Sequence, residues 1–425
     1  MLVSLCCLIL LLGFAINLPV FLSVTAAVLT YFFISPEAMP AIAAQRFIGA
    51  AENTTLLAIP FFILLGNLLN YTGITRRMLR LAEVLTGHFR GGLAQANVLL
   101  STMMGGLSAS NLADCAMLCK MLVPEMTKLG YGRAFSAAVT AAGSLITPII
   151  PPGIALIIYG FVADVSIGKM FLAGVIPGIL CCLALMGTIA FISRQRGYKP
   201  ARTHGPTWIE FRDAFKGASA ALILIVVIIG GIRVGMFTPT EAGAVAVIYV
   251  IGVGMFVFKE MNAGHIRLAL IETARATGGI LLIIMACSAF AWVLTWERVA
   301  QDVATFITSF ASSPAQFLIV LNVFLLFLGM FVEGTAAIIV LVPLLMPTVR
   351  ALGIDPVQFG LIMILNLAIG CLTPPMGTVM FIANAITGTN VGEFVRESLP
   401  LLLALLCVLA LVTFVPAVST FLPYL

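Results

Sequence analysis

Four short segments carry residue types able to hold an ion or an organic anion: Gly105-Gly-Leu-Ser-Ala-Ser-Asn111, Thr147-Pro-Ile-Ile-Pro-Pro-Gly153, Gly329-Met-Phe-Val-Glu-Gly-Thr335 and Thr373-Pro-Pro-Met-Gly-Thr378. Each gathers helix breakers and small hydroxyl residues inside apolar sequence. A proline has no backbone donor and frees a carbonyl one turn earlier. At membrane depth that carbonyl needs another partner. A dehydrated Na⁺ ion suits it, because it takes several oxygens and needs no formal charge from them; Ser and Thr hydroxyls add more. Helix halves that restart after a break turn their positive ends to the same place, which favours an anion. A lone Pro-Pro reads most simply as a kink, whereas four such clusters in two pairs point to an ion or substrate site.

Charged residues at apparent membrane depth are few: Asp114, Asp164, Arg233, Glu241 and Glu333. A buried charge is costly and marks function by default. Glu333 lies inside a break, where its carboxylate either joins a cation shell or orients the chain by hydrogen bonds. Asp114 follows another break. Asp164, Arg233 and Glu241 fall near the ends of apolar segments and read as interfacial anchors. Asn366 and Asn384 flank the last break, with helix-to-helix hydrogen bonding and a site role equally open.

The elements that position these residues follow from hydropathy. Of 425 residues, 61% are hydrophobic and 9% charged, against about 25% charged in a soluble domain. Lipid must therefore be the solvent, and continuous rather than alternating apolar runs select helices over a barrel. Met1 to Ile16 reads as a retained first helix, without the basic flank of a signal peptide. The longest polar stretch, 193–217, is rich in Lys and Arg and is predicted to be a cytoplasmic linker. It divides the chain into 1–192 and 218–425. A shift of 223 residues aligns Gly106 with Gly329, Pro124 with Pro347, Leu129-Gly130 with Leu352-Gly353, Pro151-Pro152 with Pro374-Pro375, and Pro177 with Pro400. Pro and Gly fix backbone geometry, so their agreement at one shift indicates an internal repeat.

Segment lengths give the orientation. Residues 93–123 and 315–347 are too broken for one span and too short for two, so each reads as a re-entrant helical hairpin. Residues 131–165 and 354–388 each read as one crossing made of two half-helices. Each half then has five crossings, an odd number, and the second half is inverted. Charge in the connections between apolar segments agrees: the stretch 71–92 holds Arg76, Arg77, Arg80 and Arg90 while its mate near 294–315 has only Arg298, and the stretch 259–275 holds Lys259, Arg267 and Arg275 while its mate near 36–52 has only Arg46. Basic flanks that swap between halves place repeat mates on opposite faces, with both termini outside. The fold predicted is an all-α polytopic membrane protein of inverted repeats with two hairpins and two broken transmembrane helices. Stretches 71–90 and 299–312 read as amphipathic, either interfacial or ordinary connecting helices.

Other chemistries are poorly supplied. His88, His204 and His265 all lie in polar connections, so Ser108 has no base for a serine–histidine enzyme. The nine cysteines sit in apolar segments, and Cys115 with Cys119 has no further ligand to complete a metal site. No phosphate-gripping Gly-rich loop with its Lys is present. The net charge of +5 forms no basic face for nucleic acid.

Gly105-Gly-Leu-Ser-Ala-Ser-Asn-Leu-Ala-Asp114, Pro148-Ile-Ile-Pro-Pro152 with Tyr159-Gly160, Gly329-Met-Phe-Val-Glu-Gly-Thr-Ala336, and Asn366 through Leu372-Thr-Pro-Pro375 resemble the large membrane subunit of tripartite ATP-independent periplasmic (TRAP) transporters, over essentially the whole chain. The resemblance implies an elevator-type, Na⁺-coupled importer of organic acids in the bacterial inner membrane. It implies two partners, a small four-helix membrane subunit and a periplasmic substrate-binding protein. Carried onto this sequence, one Na⁺ site involves Ser108, Ser110, Thr147, Ile150 and Pro152. The other involves Gly329, Glu333, Gly334, Thr335, Thr373 and Met376. The substrate candidates are Ser108, Asn111, Asp114, Gly153, Gly377 and Asn384. Glu333-Gly334 departs from the Asp-Pro of many relatives. The motif wording is most similar to the sialic-acid branch, with C4-dicarboxylates or proton coupling as the alternatives.

Overall fold

Apolar runs free of interior breakers fold into helices because a helix satisfies its own backbone groups, the condition for crossing lipid. The computed structural model describes every residue except 1, 17, 36–38, 107–109, 201, 203, 300, 303–304 and 306–312. The described residues form helices and connections, with no strand among them. The first half contains α1 (Leu2–Ala15), α2 (Val20–Ile34), α3 (Pro40–Ala51), α4 (Ala58–Leu69), α5 (Ile74–Thr86), α6 (Gly92–Gly105), α7 (Asn111–Lys128), α8 (Arg133–Ser144), α9 (Ile154–Val162) and α10 (Ile167–Gln195). The second contains α11 (Trp208–Arg233), α12 (Pro239–Gly252), α13 (Ala263–Trp296), α14 (Pro314–Gly329), α15 (Gly334–Ala351), α16 (Pro356–Gly370), α17 (Thr378–Thr387) and α18 (Val391–Phe414), before a short α19 (Ala417–Thr420). Among the described residues, six helices are long and apolar enough to cross a membrane: α10, α11, α12 with its extension to Val257, α13, α15 and α18.

Helix starts follow the punctuation of the sequence. Asn111 and Gly334 open α7 and α15, Arg133 and Pro356 open α8 and α16, and Pro40 and Ala263 open α3 and α13, each pair at the 223-residue offset. Both Pro-Pro steps fall between half-helices, Pro151-Pro152 between α8 and α9 and Pro374-Pro375 between α16 and α17.

The helices form a central body and a flanking bundle. In the central body, α6 packs on α8 and α14 on α16, so each hairpin's entering arm lies against the first half of its own broken helix. The returning arms cross over: α7 packs on α17, and α15 on α9. Polar clasps pin the entering arms. Asn97 donates to the Thr140 hydroxyl at 2.7 Å, and Asn366 donates to the Asn322 side-chain oxygen at 2.6 Å. The Asn366 side chain thus joins helix to helix. Helices α1–α4 and α11–α13 form the flanking bundle, in which α13 packs on α2, α3 and α4. Amphipathic α5 lies between α6 and α11 and so touches both bodies. Arg76 and Arg77 tie its start to Glu260 at 2.7 and 2.8 Å.

Two polar stretches depart from the sequence reading. Residues 36–52 were expected to connect spans, yet 40–51 forms α3, set at 46° to the helical stretch 54–69. Pro40 at its first position pre-sets φ for a helix start. From Ala263 onward the charged stretch ending at Arg275 belongs to α13, a continuous 34-residue helix. No proline interrupts residues 263–296, so the helix runs on through the charges. Its length of about 51 Å exceeds a hydrocarbon core of about 30 Å. Most of the amphipathic stretch expected at 299–312 lies outside the described residues. Arg233 ends α11, Asp164 follows α9, and Glu241 caps α12 with Thr238.

Candidate functional site

Both hairpin tips are built as helix N-caps. The Ser110 hydroxyl accepts from the Leu112 N–H at 3.3 Å, and the Asn111 side chain accepts from the same N–H at 3.0 Å. At the second tip the Glu333 carboxylate accepts from the Ala336 N–H at 3.1 Å and from the Thr335 hydroxyl. Such a cap satisfies donors that a helix start otherwise leaves open. The half-helices α9 and α17 restart from Gly153 and Gly377, neither with a side-chain cap. In α17 the Val379 N–H turns back to the Cys371 carbonyl at 3.0 Å.

Four helix starts converge on one cleft of about 590 Å³. Ser110 and Asn111 reach it from α7, Ile154 and Ala155 from α9, Gly334 and Thr335 from α15, and Thr378 from α17. Each start carries a positive partial charge, so the wall of the central body favours an anion. The opposite wall comes from the flanking bundle, with Ile63 and Asn67 of α4 and Glu272, Arg275 and Gly279 of α13. Asn67 is oriented by donating to the Thr273 hydroxyl at 3.1 Å.

Close backbone approach explains the glycines. A Cβ on Gly106 would overlap the Pro151 carbonyl, so the end of α6 lies directly against the break between α8 and α9. In the second half a Cβ on Gly370 would come within 2.7 Å of the Gly329 Cα, which joins the end of α14 to the end of α16. Helix ends of this kind present carbonyl oxygens that the helices themselves do not use. The Thr147 hydroxyl donates to Asp114 at 3.2 Å, and that of Thr373 to the Ile369 carbonyl at 2.9 Å. Asp114 is 1% exposed, and its second oxygen has no hydrogen-bond partner among the described residues.

The predicted residues distribute as follows. Ser110, Asn111, Thr147, Glu333, Gly334 and Thr335 line the cleft. Asp114 lies behind Thr147. Ile150 packs near Gly105 and Gly178, and Pro152 and Gly153 are buried at the same break. Gly329, Thr373 and Gly377 sit in the mirrored junction behind the cleft wall, and Met376 there is exposed. Asn384 stands near the far end of α17, where its side chain accepts from Thr389 at 2.7 Å. Ser108 lies outside the described residues. Among the polar cleft residues, the sequence reading passed over Asn67 and Glu272 and took Arg275 only as a basic flank. A three-residue spacing of opposite charges on one helix was the available signal, obscured because that segment read as a connection.

The charges of the lining set a condition. Among the described residues, two carboxylates, Glu272 and Glu333, face it against one guanidinium, Arg275. An organic anion entering such a cleft needs cations to offset them. Glu333 also has a structural duty that separates two substitutions. Glu333→Gln keeps an acceptor for the cap, whereas Glu333→Ala removes it at a cost of about 0.5–2 kcal/mol. Melting temperature is expected to fall in the order wild type, Gln, Ala; equal melting of Gln and Ala would show that the cap contributes nothing.

The chain's relatives agree with this architecture. Residues 5–418 match the family described as "Tripartite ATP-independent periplasmic transporter, DctM component". The chain is 39% identical to the sialic acid TRAP transporter large permease protein SiaM of Vibrio cholerae, covering 96% of this chain and 95% of that protein. It is 38% identical to the C4-dicarboxylate TRAP transporter large permease protein DctM of Pseudomonas aeruginosa, over 93% and 92%. Among solved structures, the YdaH transporter of Alcanivorax borkumensis shares the fold with a TM-score of 0.64 at 14% identity, over 97% of each chain. With a family match over nearly its whole length, full-length permease relatives and helices fit to cross lipid, the chain belongs to the DctM family of TRAP transporter large permeases and is a multi-pass inner-membrane transport protein rather than an enzyme.

Proposed function

We propose that the chain carries out Na⁺-coupled uptake of an organic acid, held in the cleft between the two hairpin tips. The observation that carries this reading is the convergence of four helix starts on one cavity whose own side chains are net acidic. The helix starts hold the carboxylate of the substrate. Na⁺ binds behind them at the two junctions, one around Ser108, Ser110, Thr147, Ile150 and Pro152, the other around Gly329, Glu333, Gly334, Thr335, Thr373 and Met376. There the ends of α6, α8, α14 and α16 supply carbonyl oxygens. Asn111, Asp114, Gly153, Gly377 and Asn384 complete the substrate environment, the last from a distance. Sialic acid is the favoured solute, given the motif wording and the Vibrio cholerae relative; the Pseudomonas aeruginosa relative makes a C4-dicarboxylate the second reading.

Movement is of the elevator type, with the central body sliding along the flanking bundle. Asymmetric seams support this. Helix α13 packs on α15 and α4 on α9, while the repeat-related pairs, α4 with α7 and α13 with α17, make at most marginal contact. Exchange of the two sets opens the cleft to the other side. A small four-helix membrane subunit braces the flanking bundle, and a periplasmic binding protein delivers the solute. Both termini face the periplasm. Proteoliposomes holding the chain with its small subunit, given loaded binding protein, are expected to accumulate solute only under an inward Na⁺ gradient. Equal uptake with K⁺ in place of Na⁺, or uptake driven by a pH gradient alone, overturns the coupling.

A further inference from the structure

Among the described residues, Arg275 is the one basic side chain on the cleft wall. It lies twelve residues into α13, about 18 Å from the helix start, well past the position of an anchor at the helix end. Glu272 stands one turn earlier on the same wall, a spacing that commonly pairs opposite charges. Yet neither residue makes an ion pair or hydrogen bond among the described residues. The guanidinium is exposed to the cleft rather than spent on the fold. It also faces the starts of α7 and α15 across the cavity, so an anion between them meets positive charge from both bodies.

We infer that Arg275 is a substrate-binding residue, and that the flanking bundle holds the solute's carboxylate through this guanidinium while the central body holds it through helix starts. A guanidinium grips a carboxylate with two parallel N–H donors, which an ammonium or an amide cannot reproduce. The inference rests on the organic-acid reading above and deepens it. Because α13 belongs to the flanking bundle, this contact is made when the cleft is open beside α13 and is broken when the central body slides away.

The test compares N-acetylneuraminate and succinate with their methyl esters, which keep shape but remove the negative charge. With the purified full chain and saturating Na⁺, the acids are expected to raise the wild-type melting temperature at concentrations at least about tenfold below those the esters need. Arg275→Gln is expected to erase that preference, with the acid weakened to the level of its ester, and to leave the ligand-free melting temperature unchanged. Arg275→Lys retains charge without the two-donor grip and is expected to fall between them. Should Arg275→Gln fold poorly, phenylglyoxal labelling of the wild type gives the same answer: the acid slows modification of Arg275 while Arg267, outside the cleft, reacts as before. An unchanged acid–ester preference in Arg275→Gln, or labelling of Arg275 indifferent to the acid, overturns the inference while leaving the transport reading intact. A wild type that neither binds nor takes up either acid overturns the transport reading and the inference with it.

Discussion

Gly106→Ala is expected to cut uptake by roughly tenfold or more and to lower the melting temperature, although it adds a single methyl group. A Cβ at this position would overlap the carbonyl of Pro151. The obstruction is backbone at a break between two half-helices, with no flexible side chain to swing aside. Overpacking of this kind costs about 1–3 kcal/mol where the neighbours cannot relax. The loss falls on function as well as stability, because relief requires parting the end of α6 from the α8–α9 break, the junction proposed above to hold the first Na⁺. Gly187→Ala is the control. It lies on α10 with nothing within 4 Å of its added Cβ, and Ala is the better helix former, so uptake and melting are expected to stay at or slightly above wild type. Uptake kinetics and thermal melting of both variants decide the matter; wild-type behaviour of Gly106→Ala would show that the hairpin end and the break do not touch.

The contrast between these glycines shows which parts of the molecule could be read in advance. Gly106, Gly329 and the Pro-Pro pairs act on the backbone itself, so their positions alone located the breaks and the offset at which helices restart. The structure adds the partners. Each hairpin's returning arm packs on the half-helix of the other half, α7 on α17 and α15 on α9, a crossing that neither half encodes locally. Asn366 shows the limit from the side of polar residues: helix contact and site role were equally open until Asn322 was found opposite it at 2.6 Å.

Charged segments were the least legible. Hydropathy averages over a window, so the charges of 259–275 pulled the start of α13 below the level of a span, and Arg275 read as part of a basic connection. What a window cannot register is facing. One side of α13 is covered by α2, α3 and α4, and the side carrying Glu272 and Arg275 borders the cleft. The same averaging hid α3, whose Gln45, Arg46 and small residues read as a polar link. Glu333 was legible as a tip residue, but its capping of α15 depends on the chain turning at that point.

Asp114 provides the second large effect. Its carboxylate is 1% exposed, accepts a hydrogen bond from Thr147, and leaves the other oxygen without a partner among the described residues. A charge so placed costs several kcal/mol unless something compensates it, and the nearest candidate is a cation at the junction of α6, α7 and the α8–α9 break. Asp114→Ala is therefore expected to lower uptake by well over tenfold. Asp114→Asn preserves size and the bond to Thr147, removes the charge, and is expected to raise the half-saturating Na⁺ concentration more than that of the solute. Thr147→Val deletes only the hydroxyl and is expected to have a smaller effect. If Asp114 and Thr147 act as a unit, the double variant Asp114→Ala/Thr147→Val will be little worse than Asp114→Ala alone, since residues in one network do not add. The Na⁺ titration separates the two roles open to the carboxylate. An unchanged Na⁺ half-saturation in Asp114→Asn reduces Asp114 to a brace for the break, because a brace needs an acceptor and only a cation shell needs the charge.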